Sequence, residues 1–591
     1  MKSIRKYTAL LLGVIVAFSL FGCAPSPDAI QARFDSFLAE EFAESLSSDY
    51  LSMHVFVLHP ENYGIDREKV PVNLGMRMTL ENKAAQREEL KKSIKKLKSF
   101  PRELLTPAQQ DTYDVYLMTL QNQQNLCQEK FDYFDESFSD NGIYTNLPTL
   151  FADYRIHTES DIADLITLIA DTRSYLQSCL EFAKLQQQKG TLSMNCDTVL
   201  EYCQGILEEG EQSAVLKSML QTIEDFPLEE GEKREYQQQL TEAFTSYFLP
   251  AYQDIVSAVT ELQADGAKIK PLADMPNGKE YYAALLQYKL GTTASVEEIT
   301  AEIQSFFTKN YEKLGELLQD PDVLERYFST ELTTNYSDFT TMLADLEKMI
   351  AVDFPDIGQV EYSIDPLAPA LAVSSVAAYF NLPSLDGDEP LTIKVNTTNG
   401  YSDMNSLEIF STVAHEGFLG HLYQSAYARK VLADEPLRQL FTGCDGYAEG
   451  YANYVELFAP GYLNLDPQLV ELWRVNSLVT QCYVVRMDIG IHYEGWGEEQ
   501  CNQLREMLGL GEDGVDAFLA QLTGNPGTFL SYYVGSMEFF NLREQAEQAL
   551  GQDFNLKAFH EEILRYGNVP LDFLKIKTSD YIERQIRENA A

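Results

Sequence analysis

Amphipathic helical patterns fill most of the chain between residues 29 and 348. Apolar side chains recur there every three or four residues, which is the spacing of one face of an α-helix. Proline and glycine mark the joints between these stretches, and the absence of a fixed-period repeat argues against a solenoid. The sequence therefore predicts a mainly α fold with a large multi-helix body. The longest stretches are Gln86–Leu97, Ala108–Leu126, Asp161–Gln188 and Val296–Leu318.

A short region after residue 360 has a different pattern. Val360–Ile364 and Leu391–Val395 alternate apolar and polar residues as β-strands do, with a turn-rich segment at 386–388 between them. We expect a small β element here. The chain has 591 residues, which is too many for one core of ordinary size, so we also predict two lobes around a cleft.

The N-terminus has the pattern of a bacterial export signal. Lys2, Arg5 and Lys6 precede the apolar stretch Thr8–Leu20, which is short for a membrane span. The sequence Leu-Phe-Gly-Cys that ends at Cys23 resembles the bacterial lipobox, in which the cysteine is lipidated after cleavage. We therefore expect an extracytoplasmic protein anchored to the cell membrane through Cys23. A plain secretory signal with an incidental cysteine is the alternative.

Acidic residues outnumber basic residues by 90 to 45, which gives a net charge of -45. Such a surface repels phosphate backbones and anionic lipid headgroups, so we expect no nucleic-acid partner and no membrane contact beyond the lipid on Cys23. The seven other cysteines form no CxxC pair, which indicates neither a full disulfide framework nor a cysteine metal site. A bond between Cys196 and Cys203 remains open, as does the oligomeric state.

The segment from His415 to His421 has the residues of a metal site. His415 and Glu416 follow an apolar helical pattern that we expect to be capped by Asn405, and a second histidine comes six positions after the first. In H-E-x-x-H motifs the histidines are four apart and share one helix face. In a regular helix, residues six positions apart point in directions that differ by roughly 120°. Both histidines can therefore reach one metal only if the helix is distorted. Gly417 and Gly420 supply that freedom.

A third ligand is expected because a catalytic zinc ion usually has three protein ligands and one open position. The helical stretch that begins at residue 446 carries Glu449, Asn453 and Glu456 along one face. We predict that Glu449 completes the Zn²⁺ site with His415 and His421, and that Asn453 or Glu456 orients one histidine. The alternative is that both histidines are ordinary core residues.

These patterns divide the chain into four predicted regions. Residues 1–22 form a lipoprotein signal peptide and residues 23–30 a lipidated tether. Residues 31–350 form a helical N-terminal region, and residues 351–591 form the zinc-binding catalytic region.

The segment His415–Gln424 resembles the His-Glu-x-x-Pro-Gly-His motif of the bacterial DUF885 family. Glu449–Ala452 is similar to the Glu-Gly-Trp-Ala segment of that family, and weaker similarity reaches back to Asn277–Tyr282. Leu419 replaces the usual proline and Tyr451 the usual tryptophan, but every proposed ligand is kept. The resemblance implies a protein related to zinc metallopeptidases, often lipidated, with poorly defined substrates.

A zinc hydrolase also needs a proton acceptor and a donor to the oxyanion. We expect Glu416 to act as the general base, because it adjoins the first ligand. Tyr532 and His492 are the candidate oxyanion donors, and each has a structural alternative. Arg486 and His560 are further candidates for contacts with the substrate.

The substrate is expected to be a peptide or a small amide, and three functional readings follow. A metallopeptidase that cleaves extracytoplasmic peptides is the first. A zinc amidase or esterase would use the same residues, and a non-catalytic lipoprotein that binds peptide or metal would not need Glu416. Leu391–Val395 could pair with an extended peptide at the edge of a sheet.

Overall fold

The computed structural model describes residues 26–140, 142–330, 332–367, 378–387, 389–396, 404–507, 511 and 515–590. The predicted signal peptide and Cys23 lie outside these residues. The chain is mainly helical with one small sheet, as the sequence predicts. None of the described helices combines the length and the apolar character needed to cross a membrane.

The helices before the sheet follow the predicted amphipathic stretches closely. They are α1 Pro27–Ser47, α2 Tyr50–Phe56, α3 Leu80–Leu97, α4 Pro107–Leu126, α5 Ile143–Ala152, α6 Glu159–Lys189, α7 Cys196–Glu209, α8 Ala214–Asp225, α9 Glu230–Ala243, α10 Leu249–Ala264, α11 Gly278–Leu290, α12 Val296–Leu318, α13 Pro321–Ser329 and α14 Phe339–Asp353. Several begin with a capping box, as α4 does at Thr106 and α12 at Ser295, which explains why these starts agree with the sequence.

The helices after the sheet carry the candidate site. They are α15 Leu407–Glu416, α16 His421–Val431, α17 Pro436–Phe441, α18 Asp445–Phe458, α19 Pro467–Ile489, α20 Glu498–Met507, α21 Val515–Gly524, α22 Thr528–Leu550, α23 Leu556–Leu564 and α24 Leu571–Asn589.

The sheet has three strands in the order β1, β3, β2: β1 is Tyr362–Pro366, β2 is Ala378–Asn381 and β3 is Leu391–Val395. β1 and β3 form a parallel pair, and β2 and β3 form an antiparallel pair. β3 is therefore the central strand with both edges occupied, and the prediction that Leu391–Val395 offers a free edge to a peptide is wrong. The sequence pattern did not indicate β2.

Two large hydrophobic cores hold the helices together. One contains buried residues of the N-terminal helices, such as Phe34, Leu168 and Ile255. The other contains α11, α12, β3 and most helices after the sheet, with Tyr282 and Phe410 among its members. The boundary at residues 350 and 351 and the two lobes around a cleft stay predictions.

All seven cysteines of the described part are free thiols. Cys196 and Cys203 are buried without a disulfide between them, and the Cys196 thiol donates to the carbonyl of Ala267 at 3.6 Å.

Asp488, at the end of α19, joins three elements inside the larger core. Its carboxylate accepts hydrogen bonds from the Tyr282 hydroxyl at 2.5 Å and from the Gly527 N–H at 3.1 Å. The side chain is fully buried, and this burial raises the pKa of Asp488 to about 7. Its contribution to stability is therefore complete below about pH 4 and is lost as the pH rises through about 7.

Candidate metal centre

α15 brings His415 and Glu416 to its C-terminal end. Ser406 caps this helix, because its hydroxyl oxygen accepts a hydrogen bond from the Ile409 N–H at 3.1 Å. The predicted cap at Asn405 is therefore one residue too early. Phe410 and Ala414 are buried on the face that anchors the helix in the core.

The chain breaks its helical path between His415 and His421, as the spacing of the two histidines predicts. α15 ends at Glu416 and α16 starts at His421, with Leu419 at a φ of 89° between them. A Cβ on Gly420 would lie 1.7 Å from the carbonyl oxygen of His415, so only glycine permits this close return of the chain. The break between the two helices brings the imidazoles of His415 and His421 close together.

The three predicted ligands lie together. His415 Nε2 lies 3.6 Å from Glu449 Oε2, and His421 Nε2 lies 3.4 Å from the same oxygen. One ligand atom from each of the three residues can be chosen so that all lie within 4.8 Å of one another. Two atoms bound to one tetrahedral zinc ion at about 2.0–2.1 Å lie about 3.3–3.4 Å apart, so the two measured separations suit such an ion.

The Glu449 carboxylate faces both imidazoles through its Oε2 atom. Its Oε2 atom is buried and has no hydrogen bond among the described residues. A buried charged oxygen without such a bond carries a large desolvation cost, which a bound cation would offset. The donor set of two imidazoles and one carboxylate is typical of catalytic zinc sites.

Close helix packing sets the position of Glu449. α18 crosses α22 where Gly450 meets Gly535, and a Cβ on Gly450 would lie 2.5 Å from the Gly535 backbone. The two helices therefore approach closely only because both residues are glycines. This contact also brings Tyr532 of α22 to the site.

Glu456 orients His415 through the Nδ1 atom of the imidazole ring. Its Oε2 atom lies 3.0 Å from His415 Nδ1, and the side-chain amide of Asn453 donates to the same oxygen at 3.1 Å. A carboxylate on Nδ1 leaves Nε2 free to bind a metal and makes it a stronger ligand. Of the two residues expected to orient a histidine, Glu456 does so directly and Asn453 acts through Glu456.

Negative charge exceeds positive charge around the two histidines. Burial favours a low pKa for His415, but the neighbouring carboxylates of Glu449, Glu456 and Glu416 outweigh it and raise the pKa to about 10. Burial opposes the ionised form of Glu449, yet the two histidines hold the pKa of this carboxyl well below its usual range. The cluster therefore favours a bound positive charge.

Glu416 lies near the Nε2 atom of His415, whereas Glu456 lies near Nδ1. One of the Glu416 oxygens, Oε1, lies 4.0 Å from His415 Nε2, while Oε2 accepts a hydrogen bond from the backbone N–H of Phe380 at 2.8 Å. Phe380 belongs to β2, so the edge of the small sheet holds the predicted base in place. Sequence reasoning missed this contact, because a four-residue strand gives too little alternation to detect.

Tyr532 lies over the first histidine. The two rings stack with centroids 6.2 Å apart and an interplanar angle of 15°. Burial and the negative charges of Glu449 and Glu416 raise the pKa of Tyr532 well above its usual value. The hydroxyl therefore stays protonated and can donate a hydrogen bond in the site.

Comparison with known proteins gives the family. Residues 73–577 match the family described as "Bacterial protein of unknown function (DUF885)". The chain belongs to the DUF885 family. No curated protein matches the sequence.

Two solved structures share the fold of this DUF885 protein. One is a "putative lipoprotein from Colwellia psychrerythraea", with a TM-score of 0.79 and 19% identity over 94% of this chain and 99% of that chain. The other is a "putative lipoprotein of unknown function from Shewanella oneidensis", with a TM-score of 0.60 and 15% identity over the same shares. At these identities the likeness shows the fold alone.

Leu419, which stands where the resembled motif was expected to have proline, has a backbone conformation that proline cannot take. The proline ring fixes φ near −65°, whereas Leu419 has a φ of 89°. The leucine side chain is fully buried in the larger core.

His492 lies in the fold without a contact to the three ligands among the described residues. Its side chain is fully buried, and Nδ1 accepts a hydrogen bond from the Leu272 N–H at 3.1 Å while Nε2 donates to the Leu522 carbonyl at 2.9 Å. Burial lowers the pKa of His492 to about 4. With both ring nitrogens engaged by backbone groups, this residue favours the structural alternative.

Arg486 and His560 also have structural partners. Arg486 pairs with Glu494 at 2.8 Å and lies 4.2 Å above the ring of Trp496. His560 is fully buried, and its Nδ1 donates to the Asp353 carbonyl at 2.6 Å. Of the predicted oxyanion donors and substrate contacts, only Tyr532 lies beside the three predicted ligands among the described residues.

Proposed function

We propose that this protein is a zinc-dependent hydrolase of the metallopeptidase type, which cleaves peptide bonds of extracytoplasmic peptides. The observation that carries the proposal is the clustering of His415, His421 and Glu449 beside Glu416, with a Glu449 oxygen that is buried without a hydrogen bond. The set of ligands has the composition of catalytic rather than structural zinc sites, which are usually closed by four protein ligands.

A zinc ion held by these three residues would polarise the scissile carbonyl and make the attacking water more acidic. Glu416 supplies the proton acceptor. The Phe380 N–H fixes one oxygen of its carboxylate, so the other oxygen faces the centre. Glu416 takes the proton of the attacking water and then delivers it to the leaving amine.

Tyr532 is the proposed donor to the oxyanion. Its hydroxyl stays protonated, and its ring is held over His415 by stacking. A donor fixed in advance, where negative charge develops, stabilises the transition state without reorganising. Glu456 and Asn453 are positioning residues, because they fix the orientation of His415.

The same residues would serve a zinc amidase or esterase, so a small amide is the second substrate class. A non-catalytic peptide- or metal-binding lipoprotein is the alternative that the anchored Glu416 disfavours, since simple capture needs no proton acceptor. For location, the similarity to two structures named as lipoproteins supports export. We propose that the lipid on Cys23 forms the membrane anchor.

Metal analysis with a peptide digest tests this function. We expect about one zinc ion per chain, and we expect His415→Ala and His421→Ala each to lose the metal and the activity. His59→Ala is the matched control, because His59 is exposed and 57% of its side chain is accessible. Full zinc occupancy in both ligand variants would contradict the metal site.

A further inference from the structure

A cavity of about 290 Å³ lies between the N-terminal helices and the edge strand β2. Leu51 and Val55 of α2 form one wall, and Leu150 of α5 forms another. Tyr379 and Asn381 of β2 close the third side. The volume is at the lower end of ligand pockets, which suits one large side chain rather than a whole ligand.

The strand that closes the cavity is the strand that holds the proposed base. Tyr379 and Asn381 flank Phe380, whose N–H donates to Glu416. Successive side chains of a strand point to opposite faces and advance about 3.3 Å per residue. The two strand residues that line the cavity are therefore each one position along β2 from the residue that fixes Glu416, with their side chains on the opposite face of the strand from Phe380.

Each charged side chain of the lining has a partner. Arg155 pairs with Glu389 at 2.8 Å, and the Tyr379 hydroxyl donates to Asp153. His54 Nε2 donates to the Arg155 carbonyl at 2.9 Å, and burial lowers the pKa of His54 to about 4, so its ring is neutral. Arg155 is thus paired with a counter-ion and the Asp153 carboxylate is engaged by a hydroxyl, so an uncharged side chain fits the lining best.

The remaining lining combines the apolar and aromatic side chains of Leu51, Val55, Leu150 and Tyr154 with the uncharged polar side chains of Asn146, Thr149 and Asn381. His54 stacks on Tyr154 with ring centroids 4.3 Å apart and an interplanar angle of 6°. Val55 is 39% exposed although it is apolar, which is the arrangement expected at the mouth of a pocket for an apolar group.

We infer that this cavity is a specificity pocket that takes one large apolar side chain, aromatic or branched, of the peptide substrate next to the scissile bond. The inference rests on the proposed function, because it assumes that a peptide passes the metal centre along β2. It goes beyond that function by naming the residue class that the site selects.

Binding of a peptide series to the full-length chain with Glu416→Gln tests the pocket without turnover. The peptides share one sequence and vary one residue among Phe, Leu, Gly, Asp and Lys. We expect the Phe and Leu peptides to bind about 10–100-fold more tightly than the others, as apolar pockets typically discriminate. Val55→Trp fills the mouth and should reduce that preference to below about 3-fold, whereas Val352→Trp, at a valine that is 70% exposed elsewhere, should leave it unchanged.

Equal Kd values for the Phe and Gly peptides, or an unchanged preference in Val55→Trp, would overturn the pocket. No binding of any peptide would overturn it too, while zinc-dependent hydrolysis of small amides by the wild type would still support a hydrolase. Selective binding by Glu416→Gln with no hydrolysis by the wild type would keep the pocket and refute the enzyme. The two claims therefore fail separately.

Discussion

The hydrogen bond between His415 and Glu456 sets how tightly the proposed site holds zinc. Glu456→Gln keeps the size of the side chain but removes the negative charge 3.0 Å from His415 Nδ1. A hydrogen bond to a charged group is worth about 1.5–3 kcal/mol, which corresponds to roughly a 10–100-fold change in affinity. Loss of a residue that supports a metal-binding histidine weakens metal binding by about the same factor. We therefore expect the Kd for zinc to rise by about 10–100-fold.

Competition with a fluorescent zinc chelator measures this change. Asp445→Asn is the matched control, since Asp445 lies on the same helix one turn before Glu449 and its side chain is 61% accessible. This substitution removes an equal charge without changing the contact at His415 Nδ1. The Kd of the Asp445→Asn variant for zinc should therefore differ from that of the wild type by less than about 3-fold. If both variants weaken zinc equally, the effect is general electrostatics and the orienting role of Glu456 is refuted.

Three further predictions concern stability, the loop and the anchor. Asp488→Asn should flatten the dependence of the unfolding free energy on pH. In urea titrations the unfolding free energy of the variant should match that of the wild type near pH 4 and exceed it by up to about 4 kcal/mol above pH 7. Parallel pH curves for the two proteins would contradict the pKa of about 7. Gly420→Ala should lose zinc, because the added Cβ would clash with the His415 carbonyl. Gly315→Ala is the control and should retain zinc, because no atom lies within 4 Å of the position of its added Cβ. Analysis of the zinc content of both variants tests this prediction. Cys23→Ala should leave the membrane fraction or remain unprocessed, and unchanged fractionation with an unlipidated wild-type N-terminus would count against the anchor.

Local signals in the sequence were strong enough to predict the helices. α12 was predicted with both ends correct from its long amphipathic stretch, and the structure shows that a capping box of Ser295 and Glu298 fixes its start. α15 was predicted one residue early at its start, since Asn405 and Ser406 are both good caps and only the fold decides between them.

Non-local contacts could not be predicted in the same way. Leu391–Val395 is central because it pairs with β1, 29 residues earlier, and with β2, which the sequence pattern did not indicate, so its central place was missed. The contact between Phe380 and Glu416 follows from that pairing. His492 was chosen for its residue type, whereas its backbone partners, Leu272 and Leu522, lie 220 and 30 residues away in the chain.

The clustering of His415, His421 and Glu449 was predictable because the spacing of the two histidines is incompatible with a regular helix. Two histidines six positions apart cannot share a face of a regular helix, and glycines stood where a break was needed. The break between α15 and α16 confirms that reasoning. The positive φ falls on Leu419 and not on either glycine, which the sequence did not indicate.

The central claim is that Glu416 performs proton transfer beside a zinc ion, and the rate of peptide hydrolysis by Glu416→Gln tests it most directly. The variant keeps all three ligands, so it should bind zinc as the wild type does. Its turnover should fall by about 10²–10⁴-fold, the usual contribution of a general base. A variant that retains zinc and hydrolyses peptides at the wild-type rate would contradict the account.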